Sequence, residues 1–429
     1  MISAAAPSAV RRRPGEVIEL VSTRRLAGER LAVVATGLAV AMLPLAVPQG
    51  PANTAPIDLF MAAAVSVCLL WAATVGFRWR FPFLIPVALI LIGGAVAGLV
   101  GSVPEAGVVA LFQDLVLILW CWAVANISHS AANLRLLLAT WAYSAIGWAI
   151  IAFIGLATGS TLLTGQTERQ GTRLQLTLAD PSYAANYFFI SMMIMWATRR
   201  PINRAARFGA YTLLLAAIAA TGSNSGMVAV VVGTVIATVL GIYRRYGVAP
   251  AVTALVATVL CGYTVASNIS LAEIQASAHE SRYAFLRQGI GRSPDSAGQR
   301  ESLLHESIQL YERGSPLGEG PVSTKPRLSR EQAPLIKEAH DDYFAALIER
   351  GPIGFVGVLL LVCSLALRGL FVTRARLARG FGAIVVRPNA LVGALAGTLV
   401  AAVVYELLHV RHIWALFAFV AAISIWGRE

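Results

Sequence analysis

Charge is scarce in this chain: 13% of its 429 residues are Asp, Glu, Lys or Arg, 57% are hydrophobic, and the mean hydropathy is +0.70. Soluble domains carry about 25% charged residues, so a soluble globular fold is excluded and a polytopic membrane protein is implied. Lysine is nearly absent and the basic residues are almost all arginine, a matter of coding bias rather than function. Cysteine is also sparse. The four cysteines (Cys68, Cys121, Cys261 and Cys363) fall inside apolar runs at no metal-like spacing, which excludes a disulfide scaffold and suits small core residues. Neither a Walker-type glycine loop nor a dinucleotide-binding fingerprint occurs. The net charge of +12 is scattered over short loops rather than gathered in one stripe, so it reads as membrane topology, not nucleic-acid binding.

What the chain has in quantity is long apolar runs. Leu31 to Val47, Leu59 to Phe77, Leu84 to Val100 and Met227 to Tyr243 are each long enough to cross a bilayer core of about 30 Å. Together the runs predict an all-α integral membrane fold of about twelve transmembrane helices, with one long extracytoplasmic loop containing short amphipathic helices. The first run follows an arginine-rich leader without a small-residue cleavage site, so it reads as a retained span. The predicted organisation is a cytoplasmic tail (1–30), a first helix bundle (31–267), an extracytoplasmic loop (268–340) and a last bundle (341–429).

Arginines set the expected orientation. Arg11 to Arg13, Arg24 and Arg25, Arg78 and Arg80, Arg135, Arg199 to Arg207, Arg244 and Arg245, and Arg368 to Arg387 fall on one side if the spans alternate. The positive-inside rule makes that side cytoplasmic, with the N-terminus. The other side receives Thr158 to Asp180 and the hydrophilic stretch from Ser267 to His340. Within the latter, Gln299 to Arg313 has Leu303, Leu304, Ile308 and Tyr311 at helical spacing, and Ser315 to Pro334 is rich in Pro and Gly. A site on the outer face must act on lipid-linked, exported or extracellular material.

Several constellations there could carry chemistry. "AHDD", ending in Asp341 and Asp342, places His340 before a long apolar helix. One reading is capping: Asp341 or Asp342 closes the helix N-terminus, other acids sit near its positive end, and His340 is incidental. The other is a general base, an imidazole oriented by a neighbouring carboxylate. A metal site is disfavoured because adjacent helical residues point in different directions. Arg173 precedes "LADPSYAANYF", and a guanidinium at the membrane surface suits bidentate binding of a diphosphate. Arg169 and Asp180 share that segment. The turn "TGSNSG" fails the nucleophilic-serine spacing because Asn224 stands where Ser is needed. "YELLHVRH" sets Tyr405, Glu406, His409, Arg411 and His412 in the outer turn before the last span.

The order of these features resembles the O-antigen ligase and O-antigen polymerase family of bacterial membrane proteins. The resemblance rests on Arg173 with "LTLADPSY", "TGSNSG", Arg300 in "GQRESLLHES", "SPLGEGP" and "AHDDYFAALIERGPIGF", covering Arg173 to Phe355. Against that family's usual pattern, Ser182 replaces Asn, Asn224 replaces Arg, Leu176 replaces Gly and Asp341 replaces Asn. The resemblance implies metal-independent glycosyl transfer, with no cofactor, from a polyprenyl-diphosphate-linked glycan to an acceptor hydroxyl on a glycan, lipid or protein. By the same resemblance, Arg173 and Arg300 would bind the diphosphate and His340 would activate the acceptor. Glu319, Asp341 or Asp342 could support positive charge at the anomeric carbon; Arg169, Asp180, Asn224 and Tyr343 complete the expected substrate-binding set. The competing expectation is a transporter or flippase with charged groups near the bilayer midplane, for which Asp114 in "LFQDLVLILW" is the main candidate residue.

Overall fold

The computed structural model describes residues 14–48, 54–101, 103–165, 173–268, 270–282, 287, 302, 305–306, 308–330, 341–374 and 377–428. The expected His340, Arg300 and Arg169 lie outside the described residues. The chain is all-α. Its helices are α1 (Pro14–Ala41), α2 (Pro56–Val75), α3 (Leu84–Val100), α4 (Pro104–Ile127), α5 (Ala131–Thr158), the single turn α6 (Thr161–Thr164), α7 (Pro181–Thr198), α8 (Arg204–Thr221), α9 (Asn224–Tyr246) and α10 (Val248–Asn268). They continue with α11 (Leu271–His279), α12 (Thr324–Arg330), α13 (Asp342–Arg374), α14 (Arg379–Ile384), α15 (Pro388–Ala401) and α16 (Arg411–Trp426). A 3₁₀ turn at Leu176–Leu178 precedes α7.

Local chemistry sets where the helices begin and end. Proline opens α2, α4, α7 and α15, where its missing N–H costs nothing. Ser130, Asp180, Asn203 and Ser223 cap α5, α7, α8 and α9 with side-chain oxygens. Gly76, Gly159 and Gly222 end helices in the left-handed conformation.

Among the described residues, α2, α4, α5, α9 and α13 are long and apolar enough to cross a membrane, and Leu84–Val100, Val248–Thr264, Pro388–Ala401 and Arg411–Trp426 are shorter apolar helices. The outward surface is apolar as lipid contact requires: Leu59 is 75% exposed, Ile85 69% and Leu99 88%. This is a multi-pass membrane protein. Interior contacts run through small residues that let backbones approach. A Cβ on Gly393 of α15 would collide with the Gly233 carbonyl of α9, and one on Gly93 of α3 with the Gly354 backbone of α13.

The bundle has two distinguishable ends. At one, Ala46 N donates to Thr177 O, Arg411 pairs with Asp58, and Asp342 N donates to Ala402 O. At the other, His129 packs with Trp71, Phe77 and Trp426, Arg387 N donates to Ala197 O, and Ala378 N donates to Gly427 O. We call these the site end and the opposite end.

Helix α1 starts at Pro14. Two readings of single residues are changed or sharpened. Cys68 and Cys121 are buried as expected, but Cys261 and Cys363 lie on the exposed surface of the bundle; lipid is as apolar as the core, so hydropathy does not tell the two locations apart. Asp114 is held in an ion pair with Arg350, its carboxylate 2.6 Å from the guanidinium, joining α4 to α13 just before the kink at Gly351 and Pro352. The predicted loop contains α11, a helical stretch at 308–313 and α12 among its described residues.

Candidate functional site

Three pieces of chain converge at the site end. The first is Arg173, which is 8% exposed although it lies outside any helix. Its neighbours fix it: Leu174 N donates to Ala220 O, and Gln175 N to Thr164 O. The guanidinium donates from Nε to Thr221 O at 2.8 Å and from Nη2 to Gly222 O at 3.3 Å. It therefore meets the carbonyls at the C-terminus of α8, where positive charge is favoured. Arg173 and "TGSNSG", separate in sequence, form one structure.

The turn then joins the start of α7. Ser223 Oγ donates to Ser182 Oγ at 3.2 Å and lies 3.0 Å from Ser225 Oγ. Gly226 packs so tightly on Ala185 that a Cβ would collide. Asp180 accepts from Ser182 N at 2.6 Å and so closes α7. Asn224 is exposed at the first turn of α9.

The second piece is the start of α13, where the two acids of "AHDD" divide the work. Asp341 is the cap, its Oδ1 accepting from Tyr343 N at 2.8 Å and Phe344 N at 3.2 Å. Burial raises its carboxyl above the ordinary carboxylate range, against the lowering pull of the Phe344 and Tyr343 amides. Asp342 turns inward, 8% exposed, and accepts from Leu407 N at 2.7 Å and Leu408 N at 3.0 Å. Tyr343 Oη donates to Leu399 O at 3.1 Å.

The third piece is the 402–410 segment that Asp342 holds. It carries Tyr405, Glu406 and His409. His409 Nε2 lies 2.7 Å from Tyr183 Oη, in the first turn of α7 and next to Ser182. The Tyr183 ring also meets the rings of His409 and Tyr405 edge-on, each at 5.4 Å. The His409 ring is open to solvent but closely surrounded by protein; that environment, then Arg411 and Arg350, lowers its pKa from 6.5 to about 4, so the imidazole is neutral near pH 7. Arg411 is spent on Asp58, at 2.7 and 2.9 Å, and His412 is buried with Nε2 3.3 Å from Asn186 Oδ1.

Polar contacts lead from Arg173 through the α8–α9 turn and Ser223 to Ser182, and from its chain neighbour Tyr183 through His409 to the segment bound by Asp342. Glu319 belongs to a neighbouring brace: it pairs with Arg327 at 2.5 Å and accepts from Ser315 N at 2.7 Å. Glu349 fixes the same loop, accepting from Val322 N at 2.8 Å and Thr324 Oγ1 at 2.7 Å. Sequence reasoning singled out neither Glu349 nor Tyr183. An acid about two turns inside an apolar helix was the available signal for Glu349, because a carboxylate there needs donors; Tyr183 gave none.

No curated protein matches the chain. The family model described as O-antigen ligase matches residues 209–359, a stretch that holds the "TGSNSG" turn, Glu319, Asp341 and Asp342, while Arg173, Tyr183 and His409 lie outside it. The O-antigen ligase resemblance read from the order of the motifs is thereby shown between residues 209 and 359.

Proposed function

We propose that this protein transfers a glycan from a polyprenyl-diphosphate donor to an acceptor hydroxyl, as a polysaccharide ligase or polymerase, on the outer face of a bacterial plasma membrane. About twelve helices cross the membrane in this reading, the N-terminus is cytoplasmic and the site end is extracytoplasmic. The observation that carries it is the convergence of the Arg173 segment, the α8–α9 turn and the start of α13 through these polar contacts. The O-antigen ligase match over residues 209–359 supports the same class of reaction.

The chemistry follows from the residue types. The acceptor oxygen attacks the anomeric carbon while the bond from that carbon to the diphosphate oxygen breaks. The acceptor proton passes to the imidazole of His340, which directly precedes Asp341 in the chain. The diphosphate departs with its negative charge against Arg173 and Arg300. Asp341 and Asp342, with Tyr343, hold the start of α13 that follows His340 in the chain, and Asp180 and Asn224 border the donor side; Arg169 and Glu319 complete the substrate-binding set. No metal or cofactor is required by this scheme.

The test supplies purified protein in liposomes with a polyprenyl-diphosphate glycan and candidate acceptors, and follows chain transfer. Transfer should disappear in His340→Ala and Arg173→Ala while the proteins remain monodisperse. Full transfer by a folded His340→Ala variant would defeat the assignment of the base.

A further inference from the structure

The opposite end of the bundle carries a second polar feature that glycosyl transfer does not use. Arg80, Arg368 and Arg428 come from three separate segments and line one cavity of about 440 Å³, together with Phe81, Ser424 and Trp426. Among the described residues none of the three guanidiniums is paired with a carboxylate. Each is steadied by weaker contacts. Arg368 lies over Phe83 at 5.2 Å and donates from Nη1 to Ser424 Oγ at 2.8 Å. Arg428 lies over Phe371 at 4.4 Å and donates from Nε to Ser424 O at 3.1 Å. Arg80 lies over Trp426 at 5.9 Å, and its backbone is fixed at both N–H and C=O by the Asn126 side chain, each bond 2.8 Å.

A guanidinium has about five N–H donors. One donor on Arg368 and one on Arg428 are engaged by the protein, so the rest are available to a multi-oxygen anion. The cavity wall is pre-set: Trp426 Nε1 donates to Ala125 O at 3.2 Å and Ala378 N donates to Gly427 O.

Depth identifies the anion. Arg368 is half-buried and stands six residues before the end of α13 at Arg374, about 9 Å along the helix axis. A lone cation at that level of an apolar helix is costly, and two neighbouring cations add repulsion instead of relief. Exposed apolar side chains flank the cavity by sequence adjacency: Phe81 at 50%, Leu84 at 52%, Ile85 at 69% and Leu367 at 68%. A phosphate attached to acyl chains satisfies both surfaces, whereas a water-soluble phosphate satisfies only one.

We propose that Arg80, Arg368 and Arg428 form a binding site for the phosphate of an anionic phospholipid, whose chains lie along Phe81, Leu84, Ile85 and Leu367. The inference borrows from the functional reading only that this end meets a membrane leaflet, and its test reads bound lipid instead of transfer. Full-length protein is extracted from bilayers of equal phosphatidylglycerol and phosphatidylcholine, and native mass spectrometry counts the phospholipid retained. The unmodified chain should keep phosphatidylglycerol over phosphatidylcholine. The pair R368Q/R428Q should lower that preference roughly tenfold. R244Q/R245Q removes the same charge from a helix end outside the cavity and should leave the preference intact. Should R368Q fail to fold, R428Q alone carries the comparison, because its side chain is exposed. Equal loss in R244Q/R245Q, an unchanged R428Q, or release of the retained lipid by excess soluble glycerol phosphate would each overturn the proposal.

Discussion

Replacing Asp342 with alanine should loosen the site end more than any neighbouring substitution. The carboxylate is 8% exposed and accepts the N–H groups of Leu407 and Leu408 at 2.7 and 3.0 Å; Leu407 itself is 1% exposed. Without it both amides lose their partner in a place water does not readily reach, at about 1–3 kcal/mol each, so about 2–6 kcal/mol in all. Both amides bond Oδ2 and Leu408 N also reaches Oδ1 at 3.1 Å, so asparagine can keep one oxygen facing both donors but turns its NH₂ toward Leu408 N, and Asp342→Asn should cost about 1–3 kcal/mol. Asp341→Ala is the control: it removes a helix cap, worth about 0.5–2 kcal/mol, and leaves the 402–410 segment in place. The assay is denaturant unfolding in mixed micelles, run beside glycan transfer. Expected order of stability is the unmodified chain, then Asp342→Asn, then Asp342→Ala. Transfer should fall with it in the proposed scheme, since Asp342 also fixes the start of α13 that follows His340 in the chain. If Asp342→Ala unfolds no more easily than Asp341→Ala, or if the alanine and asparagine variants coincide, the carboxylate does not hold the segment and the reasoning fails.

Two further outcomes follow from charge. Asp114→Asn leaves the Arg350 guanidinium without its partner and should cost about 3–5 kcal/mol, whereas Asp114→Leu combined with Arg350→Met should recover most of that; unfolding of the three proteins decides, and a double variant as weak as the single would disprove the pairing cost. His409 has a folded pKa lowered to about 4 from 6.5 by surrounding protein, Arg411 and Arg350. As pH falls below about 6.5 the unfolded chain takes up the proton first, so the folded state should lose stability between pH 6.5 and 4. His409→Gln should flatten that part of the pH–stability curve; parallel curves for the two proteins would count against the lowered pKa.

Much of this architecture was legible in hydropathy because every spanning backbone must satisfy its own hydrogen bonds, which makes long apolar helices the available solution. Inside and outside were less legible. Cys261 and Cys363 sit in the same apolar context as Cys68 and Cys121 yet face outward, since hydropathy does not separate a lipid contact from a core contact. At the site end, the order of Arg173, "TGSNSG" and "AHDD" could be read from the chain, but the bonds between them could not. Two adjacent acids both fit a capping role; only the fold shows that Asp341 caps while Asp342 reaches residues 65 and 66 positions away. Tyr183 and His409 are separated by 226 positions, and no periodicity links them.

That separation bears on what the family match contains. Residues 209–359 include the α8–α9 turn and the start of α13, but the groups that bind these two pieces together lie outside them. Arg173 holds the turn from the N-terminal side, and the 402–410 segment receives Asp342 from the C-terminal side. Helix α9 also packs on α15 through Gly233 and Gly393, so its interior face depends on a helix beyond residue 359. The motifs within the match are therefore two pieces of the site end joined through segments that flank the match. Under the proposed function, substitution in the 402–410 segment or in the first turn of α7, where Tyr183 meets His409, should change how these two pieces sit against each other without altering the turn or the start of α13 themselves.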